Sequence, residues 1–226
     1  MNRPMLAGIA WLALGATAAV AADMPPSMPP PRAPVYVPFF SWNGFYVGAN
    51  AAYAWGHSSW TDTVTSATTG NFKISGGQAG VTAGYNMQTM GSWVFGIEAD
   101  LDWSGVKGSA NPALCGGTCT TSNSWLGTVR GRVGYAVDKL LPYFTAGGAF
   151  GSVKISDGFG TATATPFGWT FGIGFEYAAL AQWTVKLEYL YVDFGTIKCN
   201  AACSGGNPIN VKFNTGIARA GINYRF

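Results

Sequence analysis

The sequence predicts an all-β fold, an eight-stranded antiparallel up-and-down transmembrane β-barrel, on three observations. Side chains alternate with period two in eight successive segments between residues 43 and 226, the mark of strands with two unlike faces. The connections between these segments are by turns short and long, and the long ones are rich in Gly, Ser, Thr and Asn. Only 10% of residues are charged while 15% are aromatic, whereas a water-soluble domain carries roughly 25% charged residues. A chain so poor in charge must bury much of its surface or face something other than water.

The amino-terminal residues 1–22 read as a secretory signal peptide. Arg3 supplies positive charge, residues 5–20 are apolar, and Ala19, Ala21 and Ala22 offer small residues for cleavage. A membrane anchor is the alternative, for which the segment is short. Residues 23–38, with the run DMPPSMPPPRAPVYVP, hold too much proline to join a sheet and predict an extended periplasmic spacer. Residues 39–226 remain for one barrel domain.

The eight strands are expected at residues 43–55, 76–87, 92–106, 124–137, 141–152, 166–178, 182–195 and 213–226. Short turns fall near 89–91, 138–139 and 179–181, and long loops at 57–75, 107–123, 153–165 and 196–212. In the third strand Trp93, Phe95, Ile97, Leu101 and Trp103 oppose Gly96, Glu98, Asp100 and Asp102. In the sixth, Phe167, Trp169, Phe171, Ile173, Phe175 and Tyr177 oppose glycines, Thr170 and Glu176. The fourth, seventh and eighth repeat the pattern, placing Arg130, Arg132, Lys186, Glu188, Arg219 and Arg225 on the less bulky face. The fifth, LPYFTAGGAFGS, has aromatic residues on both faces and is left unoriented.

A soluble eight-stranded barrel of lipocalin type would show the same alternation. The content of the faces decides between the two. An eight-stranded barrel is only wide enough inside for side chains to fill, so it cannot hold this many rings with glycine outside. The bulky face points outward, to lipid. Phe45 to Trp55, Trp93 to Trp103 and Trp125 to Tyr135 each span ten residues. At ~3.3 Å per residue and a tilt of ~40° this is roughly 25 Å, the height of an apolar band between two aromatic girdles. Trp93, Tyr135, Trp183, Tyr224 and Phe226 fall at the short-turn end; Trp55, Trp103, Trp125, Trp169 and Tyr191 fall at the long-loop end.

The terminal GINYRF resembles the carboxy-terminal signature of bacterial outer-membrane proteins, and WNGFYVGANAAYAWG and VRGRVGYA resemble segments of the small porin-like barrels of alpha-proteobacteria, relatives of the OmpA transmembrane domain and the opacity proteins. The resemblance covers nearly all of the mature chain. It implies a monomer in the outer membrane, surrounded by lipid and lipopolysaccharide, with short turns in the periplasm, long loops outside, and Phe226 read by the barrel-assembly machinery. Relatives are surface proteins that support envelope integrity, some with adhesive or ligand-binding roles. One departure from full-length OmpA is that the last alternating segment runs to Phe226, so no peptidoglycan-binding domain is expected.

The inward charges form a set: Glu98, Asp100, Asp102, Glu176 and Glu188 against Arg130, Arg132, Lys186, Arg219 and Arg225. An unpaired buried charge is costly, so equal numbers of each sign in a confined lumen predict a plug of paired ions. Neighbouring strands are expected to supply the pairs: Glu98, Asp100 and Asp102 beside Arg130 and Arg132, and Glu176, Lys186, Glu188 and Arg219 among themselves. The alternatives are weaker. Glu98-x-Asp100-x-Asp102 lacks the glycine and distal glutamate of a calcium loop, and a carboxylate-pair hydrolase needs access for substrate. His57, with Ser58, Ser59 and Asp62, reads as a solvated loop residue rather than a nucleophile's base. No enzyme activity and no cofactor are expected, and a net charge of +3 without a basic run argues against nucleic acid.

Cys115 and Cys119 occupy one long loop, Cys199 and Cys203 another. Secretion favours local disulfides; a cross-loop bridge, or a zinc site for which the spacing is unusual, are the alternatives. The function expected is a structural, surface-exposed role in envelope integrity, with a low-conductance porin and a loop-borne adhesin or ligand receptor as the other readings.

Overall fold

The computed structural model describes residues 40–89, 91–111, 117–156, 160–199 and 208–226. The expected signal peptide and spacer lie outside the described residues. The strands are β1 (Gly44–Asp62), β2 (Phe72–Gln88), β3 (Trp93–Ala110), β4 (Cys119–Tyr135), β5 (Leu140–Ser156), β6 (Thr161–Ala164), β7 (Phe167–Ala178), β8 (Trp183–Cys199) and β9 (Ile209–Arg225). They pair antiparallel in the order β4-β3-β2-β1-β9-β8-β7-β5, and pairing of β4 with β5 closes the ring. β6 and β7 both pair with β5, so they are two parts of one crossing and the barrel has eight. The break between them contains Pro166, which has no N–H to offer the ladder. The expected sixth strand began at this proline and omitted β6.

Side chains alternate as the pleat requires. On the outward face Phe45, Phe95, Ile97, Phe144, Phe171, Phe175 and Leu187 are exposed, a belt suited to hydrocarbon. The girdle rings meet across strands: Trp93 on Tyr135, Trp183 on Tyr224 and Tyr224 on Phe226 at the short-turn end, Trp169 on Tyr191 at the other. The fifth crossing is now oriented, with Phe144 outward at 73% exposure and Tyr143 inward at 3%. The Tyr143 ring lies over Gly174, where a Cβ would fall 2.5 Å from a ring carbon. Glycine inside the barrel makes room for the ring.

The strands are longer than expected. Most run 17–19 residues, against ~9–11 for a membrane crossing. Much of the sequence expected as long loops is therefore strand, including His57 in β1, opposite Lys73 and Asn214. Beyond the outer girdle the pattern inverts. Trp60, Ile74, Val106, Val153, Ile155, Val192, Val211 and Phe213 turn inward and pack together, while Lys73, Lys107 and Lys212 face out. Alternation continues, but its polar and apolar faces exchange once lipid gives way to water. Bulges at Asn123/Trp125 and Asp193/Thr196 mark this zone, and Gly195 adopts φ 63° at the second, a conformation open to glycine.

Ile97 is 67% exposed midway along the belt. Ile97→Arg is expected to cost about 2–4 kcal/mol of stability in lipid bilayers, whereas Ser109→Arg, outward beyond the girdle, stays within about 0.5 kcal/mol. Equilibrium unfolding of both refolded variants checks where the apolar band ends.

Candidate functional site

The centre of the lumen is a network of ions. Arg130 stands on β4 opposite Glu98 of β3. Its Nη2 lies 2.6 Å from Glu98 Oε1 and 2.6 Å from Asp100 Oδ2, and its Nη1 lies 2.7 Å from Glu188 Oε1 on β8. Arg132 Nη2 reaches Glu176 Oε2 on β7 at 2.7 Å, and Nη1 stands 3.5 Å from Glu98 Oε2. Lys186 Nζ lies 2.9 Å from the same Glu98 oxygen. Arg219 of β9 pairs with Asp100 at 3.0 Å, with Glu188 at 3.7 Å, and with Asp102. All of these side chains are buried.

Neutral groups complete the network. Tyr46 donates to Glu98 at 2.8 Å and Tyr143 to Glu188 at 3.2 Å. Thr82 and Thr128 donate to Asp100 at 2.7 and 2.9 Å. Thr184 and Asn223 donate to Glu176 at 2.6 and 3.0 Å. The Arg132 guanidinium sits 4.0 Å from the Tyr143 ring centroid. Their inward parity could have flagged Tyr46, Thr82, Thr128 and Asn223 from the sequence, but nothing local says which carboxylate each would meet.

The expected neighbour-to-neighbour contacts are present in part: Arg130 meets Glu98 and Asp100 of β3, and Arg219 meets Glu188 of β8. Glu176 and Lys186 are directly opposite on β7 and β8, yet Glu176 turns to Arg132 and Lys186 to Glu98. The lumen is so narrow that a long cation spans it, and each carboxylate gains partners from more than one wall. Arg225 is the clearest correction. Among the described residues it makes no ion pair; it donates to the carbonyls of Ser41 and Asn43 and stacks on Phe40 and Trp42.

Those rings close the short-turn end. Trp42 is fully buried, donates its indole N–H to Asp138 O at 3.2 Å, and packs with Val94, Ala136, Leu141 and Ala178. Position alone, ahead of the first alternating segment, concealed this role. At the long-loop end Trp60 fills the interior, its indole N–H bound to Thr121 Oγ1 at 3.1 Å. The lumen thus holds an aromatic cap, an ionic centre and an apolar core in succession.

The arrangement is chemically suited to filling space and balancing charge. Each of the five carboxylates is held by a cation and shielded from solvent, and no group of His, Cys, Asp or Glu among the described residues is disposed to hold a metal. His57 is exposed on the outward face. Cys119 opens β4, buried and disulfide-bonded; Cys115, Cys203 and the side chain of Cys199 lie outside the described residues, and so does the connectivity.

Comparison with known proteins agrees with this architecture. Residues 9–226 match the family model described as outer membrane protein beta-barrel domain. The chain is 38% identical over 244 residues to the 31 kDa outer-membrane immunogenic protein of Brucella melitensis, covering all of both chains. It is 40% identical over 157 residues to the 22 kDa outer membrane protein of Rhizobium leguminosarum bv. viciae, covering 70% of this chain and 66% of that one. Its fold is similar to that of OprG from Pseudomonas aeruginosa, with a TM-score of 0.51, 15% identity, and coverage of 81% and 96% of the two chains.

Removing one partner from a buried ionic network leaves charges uncompensated. Arg130→Ala, which takes the shared guanidinium from three carboxylates at once, is expected to lower unfolding stability by about 3–5 kcal/mol, read from denaturant unfolding of the refolded barrel. A variant as stable as wild type would refute the ionic plug.

Proposed function

Starting from the fact that this chain belongs to the outer membrane protein β-barrel family and resides in the outer membrane, we propose that it is a closed barrel with a structural, surface-facing role in the cell envelope, without catalytic activity. The observation that carries this reading is the filled lumen. Arg130 and Arg132 bridge the barrel to Glu188 and Glu176, Trp42 lies beneath them and Trp60 above, so a solute would have to displace paired charges and two packed layers. A barrel of this size has little interior to spare, and opening it would unpair buried ions at a cost of several kcal/mol. The relatives named above are outer-membrane proteins, one of them an immunogenic protein of Brucella melitensis, which accords with exposure of the long-loop end at the cell surface. Within this reading Phe226, outward at 74% exposure with its N–H bound to Phe45 O at 3.0 Å, is the residue offered to the assembly machinery, and the barrel acts as a monomer.

Planar-bilayer recording of the refolded protein is expected to give no stable openings. Large, long-lived conductance steps would overturn the closed-barrel reading in favour of a porin.

A further inference from the structure

Beyond the outer girdle the outward face becomes basic along one side of the barrel. Lys107, Lys73, His57, Lys212 and Lys198 are exposed there on the adjacent strands β3, β2, β1, β9 and β8. The register joins them into one arc. Lys107 faces Ser75, two residues from Lys73; Lys73 lies directly opposite His57. Lys212 faces Ser59, two residues from His57, and Lys198 faces Asn210, two residues from Lys212. Directly opposed Cβ atoms lie ~5 Å apart and diagonal ones ~7–8 Å.

Like charges so placed repel, and among the described residues none of these lysines makes an ion pair within the chain. Asp62 turns inward, and Asp193, the nearest described carboxylate on this face, binds the Gly195 N–H at 2.6 Å. The arc therefore calls for an external anion. Its height says which kind. Lys107 lies four residues past Trp103, Lys73 two past the residue opposite Trp55, Lys212 four past the residue opposite Trp55, and Lys198 seven past Tyr191. At ~3.3 Å per residue and ~40° tilt this is roughly 5–18 Å above the girdle, from the headgroup layer, ~5–8 Å deep, into the zone above it that the sugars of a glycolipid occupy. Deeper on the same strands, Ala49, Ala83 and Ala99 with Val47, Leu101 and Ile222 line an apolar groove of about 670 Å³. One face thus offers cations from headgroup depth upward above a recess in the lipid-facing belt.

We propose that this arc binds the anionic headgroups, phosphate or carboxylate, of outer-leaflet glycolipid, whose acyl chains lie along the face below. The proposal rests on the structural role above and gives it a means: the barrel gathers charged glycolipid around one side. The lysines project sideways from strand faces rather than upward from loop tips, which favours membrane-borne anions over soluble ones.

The test uses the refolded full barrel in phosphatidylcholine bilayers containing a trace of labelled lipopolysaccharide, with energy transfer from tryptophan reporting enrichment at the protein. Wild type should enrich the glycolipid, and salt should weaken the effect. The combined variant Lys73→Gln, Lys107→Gln, Lys198→Gln and Lys212→Gln should lose at least about tenfold in apparent affinity. Lys154→Gln, outward on β5 away from the arc, should keep it, as should the fourfold Lys→Arg variant. Absent enrichment by wild type, or full enrichment by the fourfold Gln variant, would overturn the proposal. So would lysine-dependent binding of a soluble sulfated polysaccharide without glycolipid enrichment. A heat-dependent gel shift verifies folding, and if the Gln variant fails to fold, the salt response of wild type still decides. Conductance read on the same preparations keeps the two proposals separate: an open lumen leaves the arc standing, and a failed lipid preference leaves the closed lumen standing.

Discussion

Arg130 holds three carboxylates from opposite walls of the barrel, Glu98 and Asp100 on β3 and Glu188 on β8, and the rest of the interior is arranged around that requirement. A guanidinium removed from water is tolerable only when its charge is matched and its donors are occupied. Arg132, Lys186 and Arg219 extend the match, so β3, β4, β7, β8 and β9 are coupled through the lumen as well as through their ladders. Register follows from this. A slip of one residue in any of these strands would turn its charges toward lipid, an error far larger than any single hydrogen bond.

The second constraint is the change of solvent along each strand. Between the girdles, hydrocarbon takes the apolar side chains and the lumen takes the polar ones. Past Trp55, Trp103 and Tyr191 water surrounds the outside, so Trp60, Ile74, Val106 and Phe213 turn inward as an ordinary core. One pleat serves two environments by exchanging the contents of its faces. The same exchange leaves lysines, serines and threonines outward at the height where headgroups begin, which is why a basic arc can form there and nowhere within the belt.

Much of this is legible in the sequence. Strand number, girdles and the inward parity of the charges follow from period-two alternation, because each depends on residues close in the chain. The inversion was missed for a related reason: apolar-out alternation was the sign of a strand, so polar-out stretches such as 57–62 and 107–110 read as loop. The fifth crossing resisted orientation because Tyr143 belongs to the lumen network, bound to Glu188, and so puts a ring on the polar face. Arg225 looked like a fifth cation of the plug, but it sits at the short-turn mouth, where the rings of Phe40 and Trp42 meet it before any carboxylate does.

By itself the sequence determined that this chain crosses a membrane as a barrel, and which side chains of the third, fourth, sixth, seventh and eighth crossings face in between the girdles. Those follow from transfer free energy and the two-residue period of a strand, both local properties. The tertiary structure decided who pairs with whom. Glu176 meets Arg132 rather than Lys186, Lys186 meets Glu98, and Trp42 caps one mouth, because closure brings walls distant in sequence within the reach of a single side chain. It also decided that five basic residues scattered from position 57 to 212 stand as one arc, since only the register of five adjacent strands sets them side by side.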